Sequence, residues 1–355
     1  MEGKSRVANS LKNLKVVWVW QIVYIFIKFP SRRVYTSAMP VEYLGAENVF
    51  TNIVGLLDMA EIGITVAVTS ELYEPLVKNN KEKIKQIMST FGKLYRVIAV
   101  IILIIGMVIL PFITKISNDL CQVNYVHIIF LCYLLSTVFS YLFGYKSVLL
   151  AADQKNYIFV RNHYIYMIVQ NILQIVSLLT AQSFLVYALI MVGTKCLEYY
   201  SLDRIANNLY PYLDTVRIKD KQVSHKIIAN VKKNVAGKIS NSIIQTTDSL
   251  LITGVIGLSV AGLYSNYSLI ISSALAIVIQ FPSSITASVG NMVNSSDEKK
   301  ISQMFWIIFM ANSSVFGLFS ILIGVFIQPF ISFWIGPDYK LPYEYVIIII
   351  LVISS

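Results

Sequence analysis

Long apolar runs alternate along the chain with short polar or basic links. A helix needs roughly 20 mostly apolar residues to cross a bilayer. By that measure the pattern predicts spans near residues 14–37, 47–72, 94–115, 126–150, 159–181, 184–205, 236–256, 261–281 and 304–328. The third, "LYRVIAVIILIIGMVILPFITK", is the most purely apolar of the early ones. A tenth opens at "YEYVIIIILVISS" and ends after about ten apolar residues, too few to cross, so the chain reads as truncated. Between the eighth and ninth spans, Ile285, Val289 and Met292 fall at helical spacing. That link reads either as a short interfacial helix or as a polar loop. The fold class that follows is an all-α polytopic membrane protein.

The basic residues order these spans. Lys4, Arg6, Lys12 and Lys15 precede the first, whereas the next link, around "SAMPVEYLGAE", has neither Lys nor Arg. Lys78, Lys81, Lys83 and Lys85 crowd the link after the second span, and "TAQSF", after the fifth, has none. The alternation continues through Arg217, Lys219, Lys221, Lys232 and Lys233 to Lys299 and Lys300. Basic links mark the cytoplasmic side, so the N-terminus is expected there. The long basic link 206–235 divides an N-terminal six-helix bundle, 1–205, from a partial C-terminal bundle, 236–355. A short echo relates the halves: Val49-Phe50-Thr51-Asn52 and Leu263-Tyr264-Ser265-Asn266 open the second and eighth spans. Parallel repeats of this kind are common in secondary transporters.

Composition agrees with the pattern. The 355 residues are 56% hydrophobic and only 14% charged, against about a quarter charged in soluble domains. The net charge of +10 follows from basic cytoplasmic links and carries no Lys/Arg stripe with interleaved aromatics, so nucleic acid is not an expected partner. Cys121, Cys132 and Cys196 form no CxxC pair, and no metal or cofactor motif is present. The three histidines are scattered, and no catalytic constellation appears. An enzyme is therefore not expected. A glycan polymerase or ligase would need a large extracytoplasmic loop, and every outer link is short.

Charged groups at membrane depth are costly unless they face a partner or a water-filled space, and they are the functional candidates. Lys28, Arg32 and Arg33 lie in the first span, Asp58 and Glu61 in the second, Lys195 and Glu198 in the sixth, and Lys238 and Asp248 in the seventh. Lys146, near the end of the fourth, either snorkels to the interface or faces a cavity. Lys195 and Glu198 read as a local pair, and Lys238 reads also as the start of its helix. For Arg32, Asp58, Glu61 and Asp248 two readings stand: ion pairing between helices, or a polar cavity between the bundles. In such a cavity arginine would hold an anion such as phosphate through its fork of donors. The carboxylates would balance charge or carry a coupling proton.

Several stretches of the chain resemble a known family. "VEYLGAENVFTNIVGLLDMAEIGITVAVTSELYEPL" (41–76), "YKSVLLAADQKNYI" (145–158), "LYPYL" (209–213), "TDSLLITGVIGLSVAGLYSNYSLI" (247–270) and "SSITASVGN" (283–291) are similar to Wzx-type polysaccharide flippases of the MOP superfamily. The resemblance implies a MATE-like fold of two bundles, the second incomplete here. It also implies alternating access in the bacterial cytoplasmic membrane and export of undecaprenyl-diphosphate-linked oligosaccharide of O-antigen, capsule or exopolysaccharide type. The implied partners are the lipid-linked oligosaccharide, bilayer lipid and other glycan-assembly membrane proteins. Arg32, Glu61, Lys146, Lys238 and Asp248 match motif positions, whereas Arg33 and Asp58 are additional to the family's pattern. A cation-coupled multidrug exporter of the same superfamily is the alternative, and it would have a more acidic cavity.

Overall fold

The computed structural model describes residues 2–58, 60–215, 250–279 and 298–354. The regular elements among the described residues are helices: α1 (Glu2–Ala38), α2 (Val41–Asp58), α3 (Ala60–Val77), α4 (Lys81–Ile109), α5 (Val126–Gly144), α6 (Ser147–Ala152), α7 (Asn156–Thr180) and α8 (Phe184–Leu209). They continue with α9 (Leu258–Val278), α10 (Glu298–Trp334) and α11 (Tyr343–Ser354). The proposed interfacial helix around 285–292 and most of the basic link lie outside the described residues. The chain divides into two compact units, Met1–Leu258 and Ser259–Ser355. Among the described residues, the runs Lys81–Lys115, Val126–Gly144, Asn156–Thr180, Leu258–Val278 and Ile301–Trp334 are long and apolar enough to cross a membrane. The protein is thus an all-α, multi-pass membrane protein.

The second span, predicted over 47–72, is supplied by two helices, α2 and α3, and two further spans differ from their sequence limits for identifiable reasons. α4 begins at Lys81 rather than near Leu94. Asn80 caps it, its side chain accepting from the Lys83 N–H at 3.0 Å, and this satisfies one of the helix's orphan donors. Ile84, Ile87, Met88 and Phe91 then recur at helical spacing and are buried, so packing draws the basic segment into the helix. Further along α4, Val97, Val100, Ile101, Ile104 and Val108 are exposed, an apolar outer face suited to acyl chains. The predicted fourth span divides at Tyr145 and Lys146 into α5 and the short α6. Gly144 lies against Tyr199 of α8, where a Cβ would come within 2.9 Å of the ring.

In the first unit α1 packs along α7, α7 on α8, α8 on α5, and α5 on α4 and α2. The core beneath α3, α4 and α6 includes Leu72, Phe91, Tyr95, Tyr141, Leu149 and Leu202. Its aromatic centre packs Phe91, Tyr95 and Tyr141 as tilted rings, with centroids 4.2 and 5.1 Å apart. The hydroxyls find partners: Tyr141 donates to the Asp58 carbonyl at 3.1 Å, and Tyr95 shares a 2.9 Å bond with Thr65. In the second unit, the Gln328 amide donates to the Leu341 carbonyl at 2.7 Å. The Leu341 N–H donates to Tyr267 Oη at 2.9 Å. Together these fix the corner after α10 against α9.

The polar residues of the two echoing stretches bond back to their own helices. Thr51 and Asn52 back-bond to the carbonyls of Glu47 and Asn48 at 2.8 Å each. Ser265 and Asn266 both back-bond to the Gly262 carbonyl, at 2.7 and 3.4 Å. Side chains of this type satisfy themselves on their own helix where water is absent.

Gly45 tests the packing of the first unit. A Cβ there would collide with the Leu258 carbonyl, a backbone group that cannot swing aside. Gly45→Val is expected to destabilise the protein by about 1–3 kcal/mol, the usual cost of overpacking, read as a lower melting temperature in detergent. Gly193→Ala, with nothing within 4 Å, is expected to leave melting unchanged.

Candidate functional site

α1 and α2 meet at the corner Met39-Pro40. A residue before proline is biased away from helical backbone, which ends α1 there; the Met39 N–H still bonds the Tyr35 carbonyl at 2.9 Å. Arg32 lies six residues before the last residue of α1, and Glu47 six after the first of α2. At 1.5 Å per residue, each is about 9 Å along its helix from the corner. This equal offset brings them together: Arg32 Nη1 is 3.6 Å from Glu47 Oε2, with the side chains 16% and 22% exposed. α1 continues as helix through Pro30. Arg33, about 100° further around α1, is exposed and does not join the pair.

The surroundings of the pair are phenolic. Lys28, one turn from Arg32, lies with Nζ 5.6 Å from the Tyr24 ring centroid, a cation–π arrangement. Tyr35 meets Tyr187 of α8 edge-on at 5.1 Å. The Tyr187 hydroxyl donates to Glu47 Oε1 at 3.4 Å. Tyr133 of α5 packs on Phe50 at 5.7 Å and lies within electrostatic reach of Glu47, Tyr187, Tyr35 and Arg32. The hydroxyls of Tyr35 and Tyr133 and Glu47 Oε2 are buried with no hydrogen-bond partner among the described residues. Two cationic side chains therefore face one loosely held carboxylate. A 3.6 Å contact is too long for a hydrogen bond, so the guanidinium retains donors for an anion.

The other candidates fall elsewhere. Lys146 is buried, in a clasp with Asp203 Oδ1 at 2.7 Å and with Asn207 Oδ1. It is thus ion-paired within the first unit. Lys195 and Glu198 pair at 2.9 Å as their spacing suggests, and His163 of α7 completes the group at 2.7 Å from the other carboxylate oxygen. Asp58 ends α2, eleven residues beyond Glu47, or about 16 Å along the helix. Glu61 lies in α3, its side chain outside the described residues, as are Lys238 and Asp248 entirely.

Glu47 and His163 were not recognised in the sequence as polar partners. A second span over 47–72 puts Glu47 at its very start. The signal lay in the Met39-Pro40 corner, which starts α2 at Val41 and puts Glu47 at the depth of Arg32. His163 had no such signal, since its partner lies 35 residues away.

The comparisons bear on the architecture. The chain is similar in structure to an inward-facing multidrug resistance MATE family transporter of the MOP superfamily. The TM-score is 0.68 at 13% identity, covering 97% of this chain and 79% of that one. It is also similar to a mutant of the Vibrio cholerae MATE transporter VcmN, with a TM-score of 0.59 at 12% identity over 99% and 80%. The chain has the MATE transporter fold. No protein-family model matches the sequence, and no curated protein matches it. Within this MATE-like fold the Arg32–Glu47 pair belongs to the N-terminal unit.

The Lys146 clasp gives a stability test. Removing Lys146 leaves Asp203, 30% exposed, without its cation, at a cost below the roughly 3–5 kcal/mol of breaking a fully buried pair. Lys146→Ala is expected to lower detergent melting, whereas Lys146→Ala combined with Asp203→Ala should cost less than the sum of the two singles. A thermal double-mutant cycle measures that coupling.

Proposed function

We propose that this protein is a carrier that flips lipid-linked oligosaccharide, held through an undecaprenyl diphosphate, across the bacterial cytoplasmic membrane by alternating access. The N-terminus is then cytoplasmic, as the basic links suggest. The observation that carries the reading is the half-buried Arg32, directed at Glu47 rather than at lipid, with Lys28 one turn away. Cations in excess of carboxylate at membrane depth suit an anionic headgroup. Arginine matches a diphosphate because its planar fork donates to two oxygens at once. The polyprenyl tail would remain among acyl chains while the sugar and diphosphate cross along the protein. The Wzx-like stretches support the same substrate class.

A second reading comes from the fold neighbours, one of which is described as a multidrug resistance transporter. A carrier of cationic drugs would favour an acidic site, and around Arg32 the cations outnumber the carboxylate among the described residues.

Two experiments separate these readings. Deletion of the gene is expected to accumulate lipid-linked repeat units on the inner leaflet; their arrival, unpolymerised, on the outer leaflet would exclude a flippase. Arg32→Ala is expected to abolish surface glycan at normal levels of membrane-inserted protein, whereas the exposed Arg33→Ala retains it. Surface glycan measured beside an immunoblot of membranes checks both.

A further inference from the structure

The geometry points to Glu47 as a built-in competitor for Arg32, which makes the site select a diphosphate over the singly charged phosphodiester headgroups of ordinary lipids. The inference rests on the proposed anionic, lipid-linked substrate and adds how that site excludes the wrong anion. The problem is physical: a bilayer surrounds any such site with anionic phosphodiester lipids. An arginine without a counter-charge at membrane depth would draw them in.

Glu47 occupies the place such a headgroup would take. It sits 3.6 Å from Arg32 and brings one negative charge, the same as a phosphodiester. Exchanging one for the other gains little Coulomb energy and costs the displacement of Glu47. A diphosphate carries at least one further charge and can engage Lys28, one turn (about 5.4 Å) along the same face. Only the diphosphate thus offsets the loss of the internal pair. Specificity here is a difference of affinities produced by a competing group as well as by an attracting one.

The displaced carboxylate has somewhere to go. Tyr187 already donates to its Oε1 at 3.4 Å. Tyr35, 2% exposed, and Tyr133, 6% exposed, hold buried hydroxyls with no partner among the described residues. Both lie within electrostatic reach of Glu47. Leaving two buried donors unmatched is costly, and a carboxylate released by Arg32 would satisfy them. Glu47 therefore has two stations, the guanidinium that it meets in this structure and the phenols once a diphosphate displaces it.

The test measures binding of two probes, farnesyl diphosphate and dioleoylphosphatidylglycerol, to the purified full chain in detergent. The wild type is expected to prefer the diphosphate strongly. Glu47→Gln, which keeps the shape and removes the charge, is expected to bind phosphatidylglycerol about tenfold more tightly, so that the preference shrinks. Glu47→Asp, whose shorter reach loosens its hold on Arg32, should shift the ratio the same way by less. Tyr35→Phe with Tyr133→Phe should weaken diphosphate binding in the wild-type background and leave it unchanged in Glu47→Gln. If Arg32→Gln abolishes diphosphate binding while both Glu47 variants keep the wild-type ratio, the competitor role is wrong and the anion reading stands. If Arg32→Gln binds the diphosphate as tightly as the wild type does, or the wild type does not bind it, the anion reading fails and this inference fails with it.

Discussion

A guanidinium inside an apolar bundle is tolerated only where a negative or polar group meets it. In this protein that requirement is met by Glu47, and the α1–α2 corner is built to meet it. Pro40 ends one helix and starts the next, and the two charges stand six residues away on either arm. Moving the corner by one residue would rotate each side chain about 100° around its helix and separate them. The tyrosines around the pair present an apolar body to the core and a hydroxyl to the charges, as amphipathic rings do at buried polar sites.

The pair is held in place by a framework that satisfies its own polar groups. Along α7 and α8, Asn162 donates to the Glu198 carbonyl at 3.0 Å, Thr194 to Gln170 at 3.2 Å, and Gln174 to the Tyr187 carbonyl at 3.1 Å. Internal bonds of this kind replace the water that the bilayer lacks. They also orient α8, and with it the Tyr187 hydroxyl on Glu47. Beyond α8, Tyr210 donates to Asp153 at 2.8 Å. Burial and the Asp153 carboxylate push that phenol far above its ordinary range, so it stays a donor. With the Lys146 clasp it ties the α6 region to the end of α8.

Architecture and substrate rest on different residues. The likeness to MATE transporters at 13% identity concerns helix order and packing, which many sequences can satisfy. In the proposed function, what is carried depends on the few charged side chains that the bundle encloses. The balance of Lys28, Arg32 and Glu47, rather than the fold, is the reason for reading the cargo as an anion.

The sequence by itself determined the membrane class, most of the helices and the need of Arg32 for a partner or a polar space. Those follow from run length, basic alternation and the cost of burying charge, all of which are local. It also showed that Lys195 and Glu198 pair, because three residues apart means one helix face. Only the tertiary structure decided which partner each buried group took. Glu47 rather than Asp58 reaches Arg32, His163 reaches Glu198 across 35 residues, and Lys146 is drawn to Asp203. Local pattern says that a charge in a span needs a partner, but helix packing supplies the partner, and packing is settled by distant side chains acting together. The same limit applies to α4, whose basic first turns read as a loop until Phe91 and its neighbours find the core.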